Sequence, residues 1–475
     1  MKNIIIILFS LFSLVLFSQE DRYWSNSFNS EATMLAGAVV GGNSDITSLY
    51  YNPAGISEIE EKKLILNANL FRLDNEAYNN IIGKNENIQN WGFRVQPRFV
   101  SYIHRSKKTR DLSWQLAFFT DNNNYKSFTA YTEKPSSIFN ENVGEKIKGS
   151  YDYFKEYNDY WGGLGASYQL TDNLSIGIGG FVSVKNLLYS VYQYAIVTPN
   201  KELLPDSIKY YQVSSDSYEK IAMYDVRILS KIGIMYKINN FSLGLNITTP
   251  SLKLFGNGDV KHKQSYTHYP DSNTTENFIY EENSKYRVDQ IKDPFAVAIG
   301  GVYFFNKNKS QLYFTTEYFN KIPTYLIIDG KEIVKSEQNN YPANTDFTSY
   351  KYGTKSIINY AIGYKQILSE DFDLMLGFRT DFNAYSTSNT GKYKNIKDIQ
   401  EIHNDMYHFT IGSNFNYNKS QFILGFQYSY GKQDNIKQFA NYNTSNINDL
   451  TGINNKNMIY SINSLGLFLG FSINF

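Results

Sequence analysis

The chain has 475 residues, a formal net charge of +1, and 41 Tyr, 33 Phe and 31 Gly against 10 Pro and no Cys. So even a charge balance offers no long-range field for nucleic acid and disfavours it as a partner. The lack of Cys removes thiolate metal sites, a catalytic thiol, disulfides and a lipoprotein anchor. The aromatic-rich composition is that of strands.

In chain order, the N-terminus carries Lys2, an apolar run from Ile4 to Phe17, and then Ser18-Gln19-Glu20-Asp21. This is the pattern of a secretory signal peptide over residues 1–18. The apolar run, about 14 residues, is shorter than the ~20 that a spanning helix needs. No later apolar run is long enough either, so a membrane-embedded mature chain must cross as a closed sheet.

Residues 19–61 are small, apolar and Gly-rich. Met34-Leu35-Ala36-Gly37-Ala38-Val39-Val40-Gly41-Gly42 precedes Asp45-Ile46-Thr47-Ser48 and then Asn52-Pro53-Ala54-Gly55. Pro53 fixes its own φ and lacks an N–H, Asn52 is pushed to extended geometry, and Ala54-Gly55 let other backbone pass closely. The plain alternative is an Asn-Pro-x-Gly turn. Ahead of a barrel, the segment has the size to sit inside the lumen and close it.

Strand-like runs then fall at residues 64–72, 98–105, 111–120, 161–170, 173–185, 225–238, 241–249, 295–305, 311–319, 356–367, 371–382, 406–417, 420–430 and 462–475. Their period-two alternation is clearest at Leu465, Leu467, Leu469, Phe471, Ile473 and Phe475 against Gly466, Phe468, Gly470, Ser472 and Asn474. One face suits lipid and the other a lumen. About fourteen strands is an even number, as bacterial barrels have. Short joins at 106–109, 171–172, 239–240, 306–310, 368–370 and 418–419 alternate with long polar ones such as 121–160, 250–294 and 431–460. Short periplasmic turns and long exterior loops, some folding over the mouth, are the outer-membrane arrangement. The expected fold is an all-β transmembrane antiparallel barrel over 62–475, with a hatch at 19–61.

Chemistry is sparse. No Gly-x-Ser-x-Gly elbow is present. His262 and His268, near Asp259, read as solvated loop residues rather than a metal site. Glu317, Lys365, Asp373, Arg379, Asp381 and His408 fall on the lumen face. There they pair with one another or with water, and Arg379 could instead meet a substrate carboxylate. The reading is of a non-enzymatic chain that needs no metal or cofactor.

The order Ala36-Gly37-Ala38, then Asp45, Thr47 and Ser48, then Asn52-Pro53-Ala54-Gly55 ahead of the first strand resembles the FadL-like outer-membrane transporters of long-chain fatty acids and aromatic hydrocarbons. The resemblance implies a fourteen-stranded barrel plugged by a hatch to which Asn52, Pro53 and Ala54 belong, supported by Gly37, Asp45, Thr47 and Ser48. It implies passive uptake of a hydrophobic small molecule across the outer membrane, with lateral release into lipid beside a kinked early strand. Residues 111–120 contain no Gly or Pro to mark such a kink. The terminal Phe475 resembles the signal that barrel-assembly machinery reads. Two rivals stay open: a non-transporting surface-interaction barrel, and a porin for polar solutes.

Overall fold

The computed structural model describes residues 22–24, 28, 31–42, 46–59, 63–67, 70–96, 99–105, 112–138, 144–203, 212–269, 276–286, 291–329, 335–336, 349–386, 391–418 and 420–474. The expected signal peptide, Asp45 and Phe475 lie outside them.

The strands are β1 (Lys63–Asn67), β2 (Leu70–Asn79), β3 (Ile88–Gln96), β4 (Phe99–Arg105), β5 (Leu112–Pro135), β6 (Lys146–Thr171), β7 (Leu174–Thr198) and β8 (Gln212–Ile238). Next come β9 (Phe241–Thr248), β10 (Leu252–Tyr269), β11 (Glu276–Tyr286), β12 (Ala296–Phe305), β13 (Ser310–Phe319), β14 (Tyr325–Ile328), β15 (Lys335–Ser336) and β16 (Tyr350–Tyr352). The last are β17 (Ile357–Ser369), β18 (Phe372–Asp381), β19 (Lys397–Asp398), β20 (Asp405–Tyr417), β21 (Ser420–Ile436) and β22 (Met458–Asn474).

Antiparallel pairing closes the wall. β1 and β2 lie end to end along β22, and β3 and β4 lie end to end along β2 and β1. From β4 the ladder runs through β5, β6, β7, β8, β9, β12, β13, β17, β18, β20 and β21 to β22. With each end-to-end pair taken as one strand, the cycle has fourteen positions among the described residues, as the alternation predicted. Closure leaves no strand edge for lipid to meet.

The pleat sorts the side chains. On β20, Phe409 and Ile411 are exposed between Tyr407 and Phe415; on β8, Ile228 and Ile232 lie between Tyr224 and Tyr236. Tyr407 and Phe415 are eight residues apart, which in a tilted strand spans about 20 Å along the membrane normal, close to the apolar band of an outer-membrane barrel. Aromatic residues therefore edge a lipid-facing belt at both interfaces. The turns 172–173, 239–240 and 370–371 mark one end of the barrel.

At the other end much of two expected polar loops, 121–160 and 250–294, is instead sheet. β5, β6, β7 and β8 run for 24, 26, 25 and 27 residues, and β10 pairs with the upper part of β8 while forming a hairpin with β11. On β6 the period-two pattern continues through this stretch: Tyr151, Tyr153 and Tyr157 are buried on the inner face. Their outer positions are polar because they leave the membrane, so the composition resembles that of a loop. This also corrects the reading of His262. It lies on β10 and is buried, with Nδ1 2.9 Å from Lys397 Nζ and Nε2 3.5 Å from Glu219.

The mouth is filled. β14, β16 and β19 form a small inner sheet, and Phe439, Ala440, Tyr442 and Leu450, from the segment after β21, are buried against Tyr78, Phe128, Tyr151 and Tyr153. Phe128 stacks on Tyr153 at 5.0 Å and Tyr151 on Phe439 at 5.0 Å.

Candidate functional site

The lumen at membrane level holds the chain's own N-terminal segment. It consists of helix α1 (Glu31–Met34), helix α2 (Ser48–Tyr51) and a 3₁₀ helix over Pro53–Glu58. Asn52 has the extended backbone that a following proline demands, with φ −160° and ψ 105°. Its Oδ1 accepts the Ala54 N–H at 3.1 Å, while its Nδ2 donates to Val40 O at 2.8 Å and, across to β8, to Ile234 O at 3.2 Å. One buried side chain thus ties the 3₁₀ turn, the preceding bend and the wall together. Pro53, Ala54 and Gly55 are buried beside it, as are Thr47 and Ser48. Gly37 has φ +78°, a left-handed value that suits a residue without Cβ, and the Tyr51 ring packs over it.

The wall makes room for this segment by omitting side chains. A Cβ at Gly177 would overlap Pro53, one at Gly233 the Asn52 Oδ1, one at Gly244 the Val40 carbonyl, and one at Gly412 or Gly425 the Met34 sulfur. Gly165, Gly300, Gly363 and Gly377 meet Leu49, Gly41, Leu35 and Ala36 in the same way, so β6, β7, β8, β9, β12, β17, β18, β20 and β21 all contribute and most of the circumference takes part. Sequence reasoning missed this ring, although its signal was there: glycine at lumen-face positions of strands that otherwise alternate.

Polar anchors hold the plug. Lys365 on β17 bridges Glu31 of α1 at 2.7 Å and Asp373 of β18 at 3.1 Å. Trp24 Nε1 donates to Glu317 at 2.6 Å, Lys231 Nζ to Tyr50 O at 2.8 Å, Ser167 Oγ to Ala54 O at 2.9 Å and Thr410 Oγ1 to Met34 O at 2.8 Å. Asp373 is therefore part of the hatch anchorage. His408 stands opposite Arg379 in the β18–β20 ladder, with Nδ1 2.7 Å from Ser429 Oγ and Nε2 3.6 Å from Asp381, which also accepts the Trp24 N–H. Arg379, together with Trp24, Tyr50, Tyr51, Lys231 and Glu317, borders a cavity of about 20 Å³, room for little more than a single water. The structure does not gather Arg379, Asp373 and His408 into one open binding site.

The ladder between β4 and β5 ends at Phe99 opposite Phe119. Beyond it, among the described residues, β3 forms a ladder with β2 and none with β5, while Asn90 Nδ2 of β3 donates to Ser127 O of β5 at 2.8 Å. On the other flank of β5, the register with β6 shifts between Thr120 and Asn122. On β5 no Gly or Pro marks the shift, which falls just past 111–120 at the head of the polar run Asp121-Asn122-Asn123-Asn124, whereas in the sequence Pro97 stands between β3 and β4.

No family model and no curated protein matches the chain. Solved structures do. The P. putida toluene transporter TodX superposes with a TM-score of 0.56 at 13% identity, covering 94% of this chain and 97% of that one. A Pseudomonas aeruginosa FadL homologue gives 0.54 at 11% identity, covering 97% and 100%. The CymD monoaromatic hydrocarbon channel gives 0.50 at 11%, covering 94% and 96%. A fourteen-position barrel closed on itself and filled by its own N-terminal segment is the architecture that this chain shares with them, and its fold is that of the FadL-like outer-membrane transporters.

Proposed function

We propose that the chain is a passive outer-membrane transporter that takes up hydrophobic compounds, gated by the hatch at residues 19–61. The observation that carries the reading is the plug itself. Asn52, Pro53, Ala54 and Gly55 fill the lumen against a wall of glycines, so a porin-like aqueous channel is blocked in this state, and a polar-solute porin has no use for such a plug. The end of the β4–β5 ladder at Phe99 and Phe119 supports lateral release: a hydrophobic compound gains most by leaving into lipid without crossing water. Non-enzymatic uptake, outer-membrane residence and reliance on the assembly machinery through Phe475 all belong to this reading.

Planar-bilayer conductance tests the gating. The intact chain is expected to be nearly silent, and a chain lacking residues 19–55 to conduct; equal conductance in both would remove the plug. Uptake of labelled toluene or oleate by cells with and without the protein tests the substrate class. No difference for either compound would leave the surface-interaction barrel as the better reading.

A further inference from the structure

On the lipid side of the wall, at the top of the belt, four strands carry two polar rows in register. Across β6, β7, β8 and β10 the lower row is Asn158, Asn186, Tyr224 and Asn257, and the upper row is Glu156, Leu188, Ala222 and Asp259. Leu187, Met223 and Gly258 lie between the rows, and the whole lines an open hollow of about 490 Å³. That is the size of a small-ligand site. The hollow falls where Ala222 contributes only a methyl. Beneath it Tyr160, Val184, Val226 and Phe255 form the last apolar row, and above it stand Phe154, Ser190, Lys220 and Lys261.

Several polar groups here are left for a ligand. Asn158 accepts from Asn123 and donates from Nδ2 to Glu156 Oε1 at 2.9 Å, which fixes the Glu156 carboxylate at one flank. Asn257 Oδ1 accepts the Gly258 N–H at 2.9 Å, so its amide donors stay open. Asn186 and Asp259 have no side-chain partner among the described residues.

Height in the membrane narrows the occupant. Tyr224 edges the lipid-facing belt, and one row step is two residues, about 5 Å along the normal in a tilted strand. The lower row therefore lies at the interface and the upper row within the headgroup layer, which is about 5–7 Å thick on each side of the hydrocarbon. Hydroxyl groups suit the lining, because each both donates and accepts and can meet amides and carboxylates alike. The carbon face of a sugar ring covers Leu188 and Ala222. A phosphate does not suit it: the hollow has two carboxylates and no Lys or Arg in its lining, and Lys220 and Lys261 stand a row further out. Glu156 and Asp259 are three strand spacings apart, about 14 Å between backbones, too far to share one cation.

We infer that this hollow binds the sugar headgroup of an outer-leaflet glycolipid, whose acyl chains continue down the belt over Val184, Val226 and Phe255. The inference stands apart from the uptake reading, because the hollow opens on the lipid side of the wall and the hatch lies on the lumen side.

Native mass spectrometry of the purified full-length barrel tests it. The protein is taken from micelles holding equal amounts of diglucosyl-dioleoylglycerol, dioleoylphosphatidylglycerol and dioleoylphosphatidylethanolamine, alongside Asn186→Ala and Ala222→Trp. The glucosyl lipid is expected to be retained about tenfold over the other two. Asn186→Ala, which removes one hydrogen-bonding group, is expected to reduce that preference about fivefold, and Ala222→Trp, whose indole fills the hollow, to abolish it. Heat-modifiable migration checks that both variants are folded. Equal retention of the three lipids would mean an unspecific annulus and overturn the site. A preference for phosphatidylglycerol would assign the hollow to a phosphate through Lys220 and Lys261, and one for phosphatidylethanolamine to its ammonium through Glu156 or Asp259; either overturns the sugar site. A glucosyl preference that survives both variants would put the sugar elsewhere on the wall, and retention of no lipid would likewise remove the proposal.

Discussion

At the residue scale, Asn52 and Gly233 are two halves of one contact. Asn52 accepts the buried Ala54 N–H and donates to the carbonyls of Val40 and Ile234, and leaving such groups unpaired costs about 1–3 kcal/mol. Asn52→Ala is expected to loosen the hatch by that amount while sparing the wall, and to appear as a raised leak conductance with unchanged β-sheet circular dichroism. Gly233→Ala puts a methyl where the Asn52 oxygen lies, so the same leak is expected from the opposite side of the contact; a silent Gly233→Ala channel would show that the hatch shifts to absorb the methyl. The motif Asn52-Pro53-Ala54-Gly55 was visible in the sequence because proline and asparagine carry local backbone constraints. Its glycine partners were visible only as residues of a face, since nothing local says what passes over that face.

At the element scale, the strands obey their period, and two consequences follow. Ile411 points into the lipid-facing belt between Tyr407 and Phe415, so Ile411→Lys is expected to cost about 2–4 kcal/mol, the penalty for a lysine near the bilayer midplane. Equilibrium refolding into lipid vesicles measures it, and an unaltered midpoint would place Ile411 outside the hydrocarbon.

The second consequence concerns the outer extension, where Glu219 on β8 meets Lys397 and His262. Burial pushes its carboxyl up, but the charges of Lys397 and His262 outweigh burial and hold it below the ordinary glutamate value. A lowered folded pKa contributes stability that is complete above the unfolded value, about 4.3, and is lost as pH falls through the folded one. The inner sheet carrying Lys397 is therefore expected to stay docked near neutrality and to loosen only in acid below about pH 4. A nitroxide on Lys394→Cys, which is exposed in a chain with no other Cys, reads this as mobility against pH. Mobility rising already at neutral pH would contradict the anchor.

At the whole-molecule scale, wall and plug are held by different forces. The wall closes through its own backbone ladder, including the β22 pairing with β1 and β2, whereas the plug adds side-chain anchors and packing against glycine. Removal of residues 19–55 is accordingly expected to leave heat-modifiable migration and sheet content intact, because every spanning strand keeps its neighbours. Loss of the folded band would mean that the plug is a structural strut. The long ordered walls above the membrane belong to this scale too. Their polar outer faces hid them from a hydropathy reading, and it is pairing with neighbours such as β8 with β10 that makes them sheet.

The sequence by itself determined the barrel: alternation, even strand number and two classes of turn are local properties, and closure is the one way for such strands to enter lipid. It also determined that a segment of hatch size and small-residue character precedes the first strand. Only the tertiary structure decided which wall positions touch that segment, that Lys365 spans Glu31 and Asp373, that His262 is buried, and that the β4–β5 ladder ends at Phe99 and Phe119. Each of these depends on residues far apart in the chain meeting across a lumen, and spacing along one strand carries no information about what stands opposite.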